Sequence, residues 1–199
     1  MTIDEIAVDS SSAGDPARFR TFADLERGLA GMALAPVDRG RLVRIVRRGE
    51  GGRREVPERS RLSPEAGVPG DSWGRRPRRT QNTQITAMQA DVAELIANGQ
   101  PLTLFGDNLF LELDLSARNL PVGSRLRIGG AVLEVTPVPH NGCKKFQARF
   151  GQEALRFVSG KELRQRNLRG IYLRVVEAGD IHLGNQVEVL ARALVPHPS

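Results

Sequence analysis

The stretch Arg125-Leu126-Arg127-Ile128-Gly129-Gly130-Ala131-Val132-Leu133-Glu134-Val135-Thr136-Pro137-Val138 decides the fold class. Two short runs rich in apolar residues flank a Gly-Gly pair, and a two-residue glycine turn between such runs is a strong hairpin signal. Working outward, Gly170 to Val176 is rich in β-branched and aromatic residues and reads as a strand. Val187 to Leu190 reads as another, preceded by the turn residues Gly184 and Asn185. Upstream, Leu42, Val43, Ile45 and Val46 form a strand followed by a Gly- and Arg-rich turn from Arg47 to Arg54. Several short strands with few helices predict a mostly β (α+β) fold, a small barrel or closed sheet rather than a parallel α/β sheet.

Helices are expected at two places outside these strands. Asp15-Pro16 suits an N-cap and first helical position. Phe19, Phe22, Leu25, Leu29 and Met32 then recur at spacings of three and four, so one N-terminal helix is predicted to pack on the main domain. Ile85 is read as the end of a short strand, and Ala87 to Asn98 as a helix stopped by Gly99 and Pro101. Pro57 to Arg79 reads as a loop. The organisation expected is a polar segment and helix over 1–39, a barrel domain over 40–192 and a frayed tail over 193–199.

The 199 residues suit one domain, and a 40% hydrophobic content is enough for one ordinary core. No apolar run approaches the roughly 18 residues that cross a bilayer. Asp4 and Glu5 stand where a secretory signal would carry basic residues, so a cytoplasmic setting is expected. A single cysteine excludes an internal disulfide and a cysteine-built zinc site, and three scattered histidines do not supply one either. The formal charge of +6 suits an anionic partner, and it is concentrated between Arg39 and Arg79.

The only cysteine lies in the run His140-Asn141-Gly142-Cys143-Lys144-Lys145-Phe146. Pro139 cannot extend a ladder, Asn141-Gly142 makes a turn, and Cys143 to Phe150 can form a short helix ending at Gly151. That places the thiol in the first turn of a helix beside two lysines. Both features favour thiolate over thiol, the form that acts as nucleophile and metal ligand. His140 adds a candidate proton-transfer group. Against this stands the ordinary role of a lone cysteine as a small buried hydrophobe. A Cys–His hydrolase is disfavoured, because residues so close in sequence rarely reach nucleophile–base geometry.

An ordered set of elements around Cys143 resembles the MOSC domain, named for the C-terminal domain of molybdenum-cofactor sulfurases. The elements are Gly70-Asp71 with Gly74-Arg75, Gly106-Asp107-Asn108-Leu109, Leu113-Asp114-Leu115, Leu120-Pro121-Val122-Gly123, Leu126-Arg127-Ile128-Gly129 and Val132-Leu133-Glu134-Val135. Cys143, Arg169 to Val175 and Gly179 to Val187 complete it, so the resemblance spans roughly residues 40 to 190. It implies a distorted MOSC-type β-barrel with a few peripheral helices. It also implies that Cys143 binds molybdenum, as a ligand to molybdenum cofactor (molybdopterin), or carries sulfur as a persulfide. Thiolate is soft enough for either role. The 199 residues hold no pyridoxal-phosphate domain, so a separate pyridoxal-phosphate-dependent cysteine sulfurase is the expected sulfur donor. A small molecule is the expected substrate or acceptor. The local motif is Gly142-Cys143 where many members have Pro-Cys.

Arg75, Arg76, Lys144 and Lys145 are the candidate contacts to a cofactor phosphate, through bidentate or charge-assisted hydrogen bonds. Asn108 is placed with them, whereas Asp107 is assigned to a turn, and Arg169 and Tyr172 to packing. The rival class is a basic, non-catalytic binding module for an anionic partner, with a structural cysteine. Nucleic acid is disfavoured as that partner, because Trp73 is the only aromatic residue in the basic run and no helix-turn-helix or zinc-finger pattern occurs.

Overall fold

A computed structural model describes residues 13–193. In chain order its strands are β1 (Arg39–Ile45), β2 (Arg47–Arg48), β3 (Arg54–Glu55), β4 (Arg59–Leu62), β5 (Ile85–Gln89) and β6 (Leu109–Glu112). They continue as β7 (Arg125–Ile128), β8 (Ala131–Val135), β9 (Ile171–Glu177), β10 (Gly179–His182) and β11 (Gln186–Ala191). The helices are α1 (Phe22–Ala30), α2 (Ala90–Ala97), α3 (Lys144–Phe150) and α4 (Gln152–Ser159).

The glycine hairpin pairs β7 with β8 in direct register, Arg125 opposite Glu134 and Ile128 opposite Ala131. Seven strands close a barrel in the order β1-β11-β7-β8-β9-β5-β6, with β6 returning to β1. Closure removes the unpaired edges that an open sheet of this size would present. Among the described residues only β5 and β6 run parallel, and α2 supplies the crossover that a parallel pair requires. The loop expected over 57–79 contains β4, which pairs with β10 beside the barrel.

The two sides of the barrel wall face different cores. The hydrophobic cluster of the interior is aliphatic, with residues such as Leu42, Ile45, Ile85, Leu111, Leu126, Leu133 and Leu173. Outside, a second core lies under the helices and takes Phe105, Phe110, Phe146, Phe150 and Phe157, with Leu25, Met88 and Ile96. Each such side chain contributes roughly 1.5–3 kcal/mol by leaving water. Phe105 and Phe150 stack at 4.1 Å, which ties α3 to the turn before β6.

Two helix predictions need correction. Ala87, Met88 and Gln89 belong to β5, where they pair with Leu109, Phe110 and Leu111. Ile85 therefore begins a strand rather than ending one, and α2 starts only at Ala90. Sheet pairing overrides the helical preference of this stretch. At the N-terminus, Asp15 caps a 3-10 turn over Pro16–Arg18, and the chain then extends through Phe19. The α-helix starts afresh at Phe22, capped by the Thr21 hydroxyl, which accepts from the Asp24 amide at 3.2 Å. Leu25 and Leu29 are its buried stripe. Leu25 and Leu29 join the outer core, with Phe22 and Met32 packed against it, so α1 packs on the barrel. The tail expected to fray lies, from residue 194 onward, outside the described residues.

Candidate functional site

Cys143 is the N-cap of α3, with extended backbone and no capping hydrogen bond from its side chain. Its carbonyl accepts from the Gln147 amide at 3.0 Å. The apolar face of α3, Phe146 and Phe150, fixes the helix on the outer core and leaves the thiol of Cys143 exposed. The thiol borders a cleft of about 390 Å³ between the β2–β3 hairpin, the turn before β6, α3 and the start of β9. Six cationic residues line this cleft: Arg48, Arg54, Arg76, Lys145, Arg149 and Arg169. His140 and Tyr172 line it too, with the rings of Phe105 and Phe146.

Beneath the cleft lies a polar layer that uses almost every donor it contains. Asp71 accepts from Arg48 through Nε (2.8 Å), Nη2 (2.6 Å) and the backbone amide (2.8 Å). It also accepts from the Trp73 amide at 2.9 Å and from Nδ2 of Asn108 at 3.0 Å. Burial alone would raise the Asp71 carboxyl, but these hydrogen bonds and the charge of Arg48 bring it below its ordinary value. Asn108 is completely buried. It donates to the Val46 carbonyl and accepts from Thr86 and Arg48, so its amide is fully engaged in holding the layer together. Asn108 accordingly does not line the cleft itself and reaches it through Arg48 and Thr86.

The second carboxylate, Asp107, is also completely buried. Arg169 donates to its Oδ2 at 2.6 Å, while Oδ1 lies 3.6 Å from Nδ1 of His140. Asp107 Oδ1, His140 Nδ1 and Arg169 Nε have no hydrogen-bond partner among the described residues. The His140 ring leans on Tyr172 with centroids 4.6 Å apart. Burial, then the Arg169 charge, drives the His140 pKa down to about 3, so the imidazole is neutral near pH 7. Tyr172 is pushed up, first by burial and then by the Asp107 charge. Asp107 thus lies beneath the cleft without lining it, held by Arg169, while Arg169 and Tyr172 form part of the cleft wall.

Gly170, between those two wall residues, has φ +97, and a side-chain carbon there would lie 2.2 Å from the Ala87 carbonyl oxygen. Only glycine permits this approach of β9 to β5, which sets Arg169 and Tyr172 over the cleft.

The other expected contacts divide. Arg76 and Lys145 line the cleft, and Lys144 is exposed outside it. Arg75 lines a neighbouring depression and donates to the carbonyls of Gly70 (2.8 Å) and Arg48 (2.9 Å). It therefore braces the backbone of a cleft residue. Arg79 sits 5.5 Å over the Trp73 ring. Arg48, Arg54 and Arg149 were not anticipated. Arg149 had a detectable signal: with Phe146 three residues before it and Phe150 next to it, it falls on the buried stripe of a short helix. Arg48 and Arg54 sit in the Gly- and Arg-rich turn with nothing in the sequence to distinguish them from Arg47 or Arg53.

The donors present suit an anionic cofactor that arrives with its own metal. Among the described residues, no group of three or more His, Cys, Asp or Glu is placed to hold a bare metal ion. One exposed thiol, cationic walls and three unsatisfied buried polar atoms fit a ligand that brings oxyanion and hydrogen-bonding groups.

A family model of the MOSC domain matches residues 81–188, more than half of the chain. The chain belongs to the MOSC family. The MOSC segment contains Asp107, Asn108, His140, Cys143, Arg149, Arg169 and Tyr172, whereas Arg48, Arg54, Asp71 and Arg76 precede it. The cleft is therefore built jointly by the MOSC segment and the chain before it.

Solved structures agree on the fold. The YuaD protein from Bacillus subtilis superposes with a TM-score of 0.57 at 16% identity, covering 76% of this chain and 95% of that one. YiiM from Escherichia coli gives 0.52 at 19% identity, over 78% of this chain and 72% of its own. A protein described as hypothetical gives 0.57 at 18%, covering 78% and 70%. No curated protein matches the sequence. No helix among the described residues is long and apolar enough to cross a membrane.

Proposed function

We propose that the cleft binds molybdenum cofactor and that Cys143 Sγ is the protein's ligand to the metal. The observation that carries this reading is an exposed thiol at the edge of a cleft lined by six cationic side chains. Molybdopterin would bring its own sulfur ligands, leaving one thiolate for the protein to supply. When bound, the cofactor supplies two-electron redox chemistry on a small-molecule substrate. Arg76 and Lys145, exposed at the cleft mouth, draw in anionic groups. Arg48, held by Asp71, Asn108 and the brace from Arg75, presents a fixed charge that needs no reorganisation. The neutral His140 offers the substrate a hydrogen-bonding imidazole rather than a competing cation.

Exposure of the thiol favours a second use of the same atom, as a sulfur carrier. The Cys143 thiolate would attack the outer sulfur of a persulfide on a pyridoxal-phosphate-dependent cysteine sulfurase. The donor's S–S bond breaks, its cysteine leaves as thiolate, and Cys143 holds the persulfide.

The test is metal and pterin analysis of protein produced under molybdenum-replete conditions, alongside mass spectrometry of the Cys143 peptide after incubation with a sulfurase and cysteine. Molybdenum with pterin in the parent but not in Cys143→Ser supports the first use. A peptide heavier by one sulfur atom supports the second. Absence of both would leave a basic binding module for an anionic partner.

A further inference from the structure

Arg54 and Arg149 come from distant parts of the chain and are only 8% and 6% exposed. Nη2 of Arg54 and Nη1 of Arg149 both lie 3.8 Å from a single point, the position a side-chain carbon would occupy on Gly106. Gly106 has φ +73, where an L side chain is strained, so the notch between the two guanidinium groups stays open. Arg54 uses Nη1 on the carbonyls of Gly52 and Arg53. Among the described residues no carboxylate pairs with Arg54, and its Nη2 donates to no protein acceptor. Arg149 anchors its Nη1 on the Leu104 carbonyl at 2.7 Å. All three residues line the cleft that holds Cys143.

We propose that Arg54 and Arg149, on either side of Gly106, form a subsite for the terminal phosphate monoester of a ligand whose other end reaches Cys143. The proposal rests on the reading of this cleft as the binding site and assigns the phosphate to a buried pair rather than to the arginine run after Gly70. A buried guanidinium without a counter-charge is unfavourable. Burial, followed by the charges of Arg149 and Arg48, depresses the proton affinity of Arg54. A dianion placed beside Arg54 removes that penalty, and forked guanidinium donors match phosphate oxygens. A carboxylate brings half the charge and too few oxygens to engage both forks.

The subsite is tested on the full chain by thermal unfolding and calorimetric titration with inorganic phosphate, phenyl phosphate and acetate, against chloride at equal ionic strength. Phosphate and phenyl phosphate should bind at one shared site and raise the melting temperature, while acetate should not. Arg54→Gln should abolish this response yet melt no lower than the parent in chloride, because it removes a buried repulsion. Arg54→Lys, which keeps the charge and loses the fork, should bind phosphate at least tenfold more weakly. Cys143→Ser should respond as the parent does, so failure of the cysteine chemistry leaves this result intact. Stabilisation by acetate equal to that by phosphate, exclusion of the phenyl ester, or an unchanged response in Arg54→Gln would each overturn the proposal. A lower melting temperature of Arg54→Gln in chloride would do so as well, since it would make Arg54 a structural support.

Discussion

At the scale of residues, the site combines one side chain that carries no structural load with several that hold the layer beneath it. Cys143 is exposed and makes no capping bond. Cys143→Ser should therefore unfold in urea within about 0.5 kcal/mol of the parent while losing metal and sulfur chemistry. Asp71 is the opposite case. It receives three donors from Arg48, whose side chain is only 12% exposed. Asp71→Asn leaves that guanidinium without its counter-charge, and urea unfolding should show a loss of about 3 kcal/mol. The sequence pointed to Cys143, His140, Arg76 and Lys145 because unusual residue types or local charge marked them. It could not separate Arg48 or Arg54 from their neighbours, because their roles depend on long-range partners: Asp71 for one, the Gly106 notch for the other. Asn108 stood out for the same motif that now explains it, but its bonds run inward.

Among the elements, strands with local signals were readable and those defined by distant partners were not. The β7–β8 hairpin carries its own turn, so its register is set within a few residues. β5 depends on β6 for its pairing, and its run Ala87-Met88-Gln89 looks helical until that partner is present. The same long-range dependence applies at Gly170, where β9 touches β5 backbone to backbone. Gly170→Ala would drive a methyl group into the Ala87 carbonyl at a φ of +97. Its melting temperature should fall by an amount equivalent to about 2 kcal/mol or more. Arg169 and Tyr172 would be displaced with the strand, so ligand binding should weaken beyond what stability alone accounts for.

For the whole molecule, the aliphatic barrel is the rigid body and the aromatic outer core is the platform that sets α3 and its cysteine at the cleft. Global stability should also report the buried imidazole. His140 stays neutral in the folded protein down to about pH 3, against an ordinary value of 6.5. On acidification the unfolded chain therefore binds a proton first. Stability is unaffected by His140 above pH 6.5 and falls as the pH drops from there toward 3, by at most about 1.4 kcal/mol per pH unit. His140→Gln should flatten this part of the curve in urea unfolding at a series of pH values. The separate loss from protonating Asp71 should remain, since its lowered carboxyl titrates below 3.8.

Cys143 and the cationic cleft are proposed to bind cofactor together. The most direct measurement is the rate at which iodoacetamide alkylates Cys143 in protein made with and without molybdenum, followed on the Cys143 peptide. Rapid labelling of molybdenum-starved protein and strong protection of molybdenum-replete protein, lost when cofactor is released by mild denaturation and refolding, is the predicted result. Equal labelling rates in the two preparations, with pterin bound in the replete one, would contradict it.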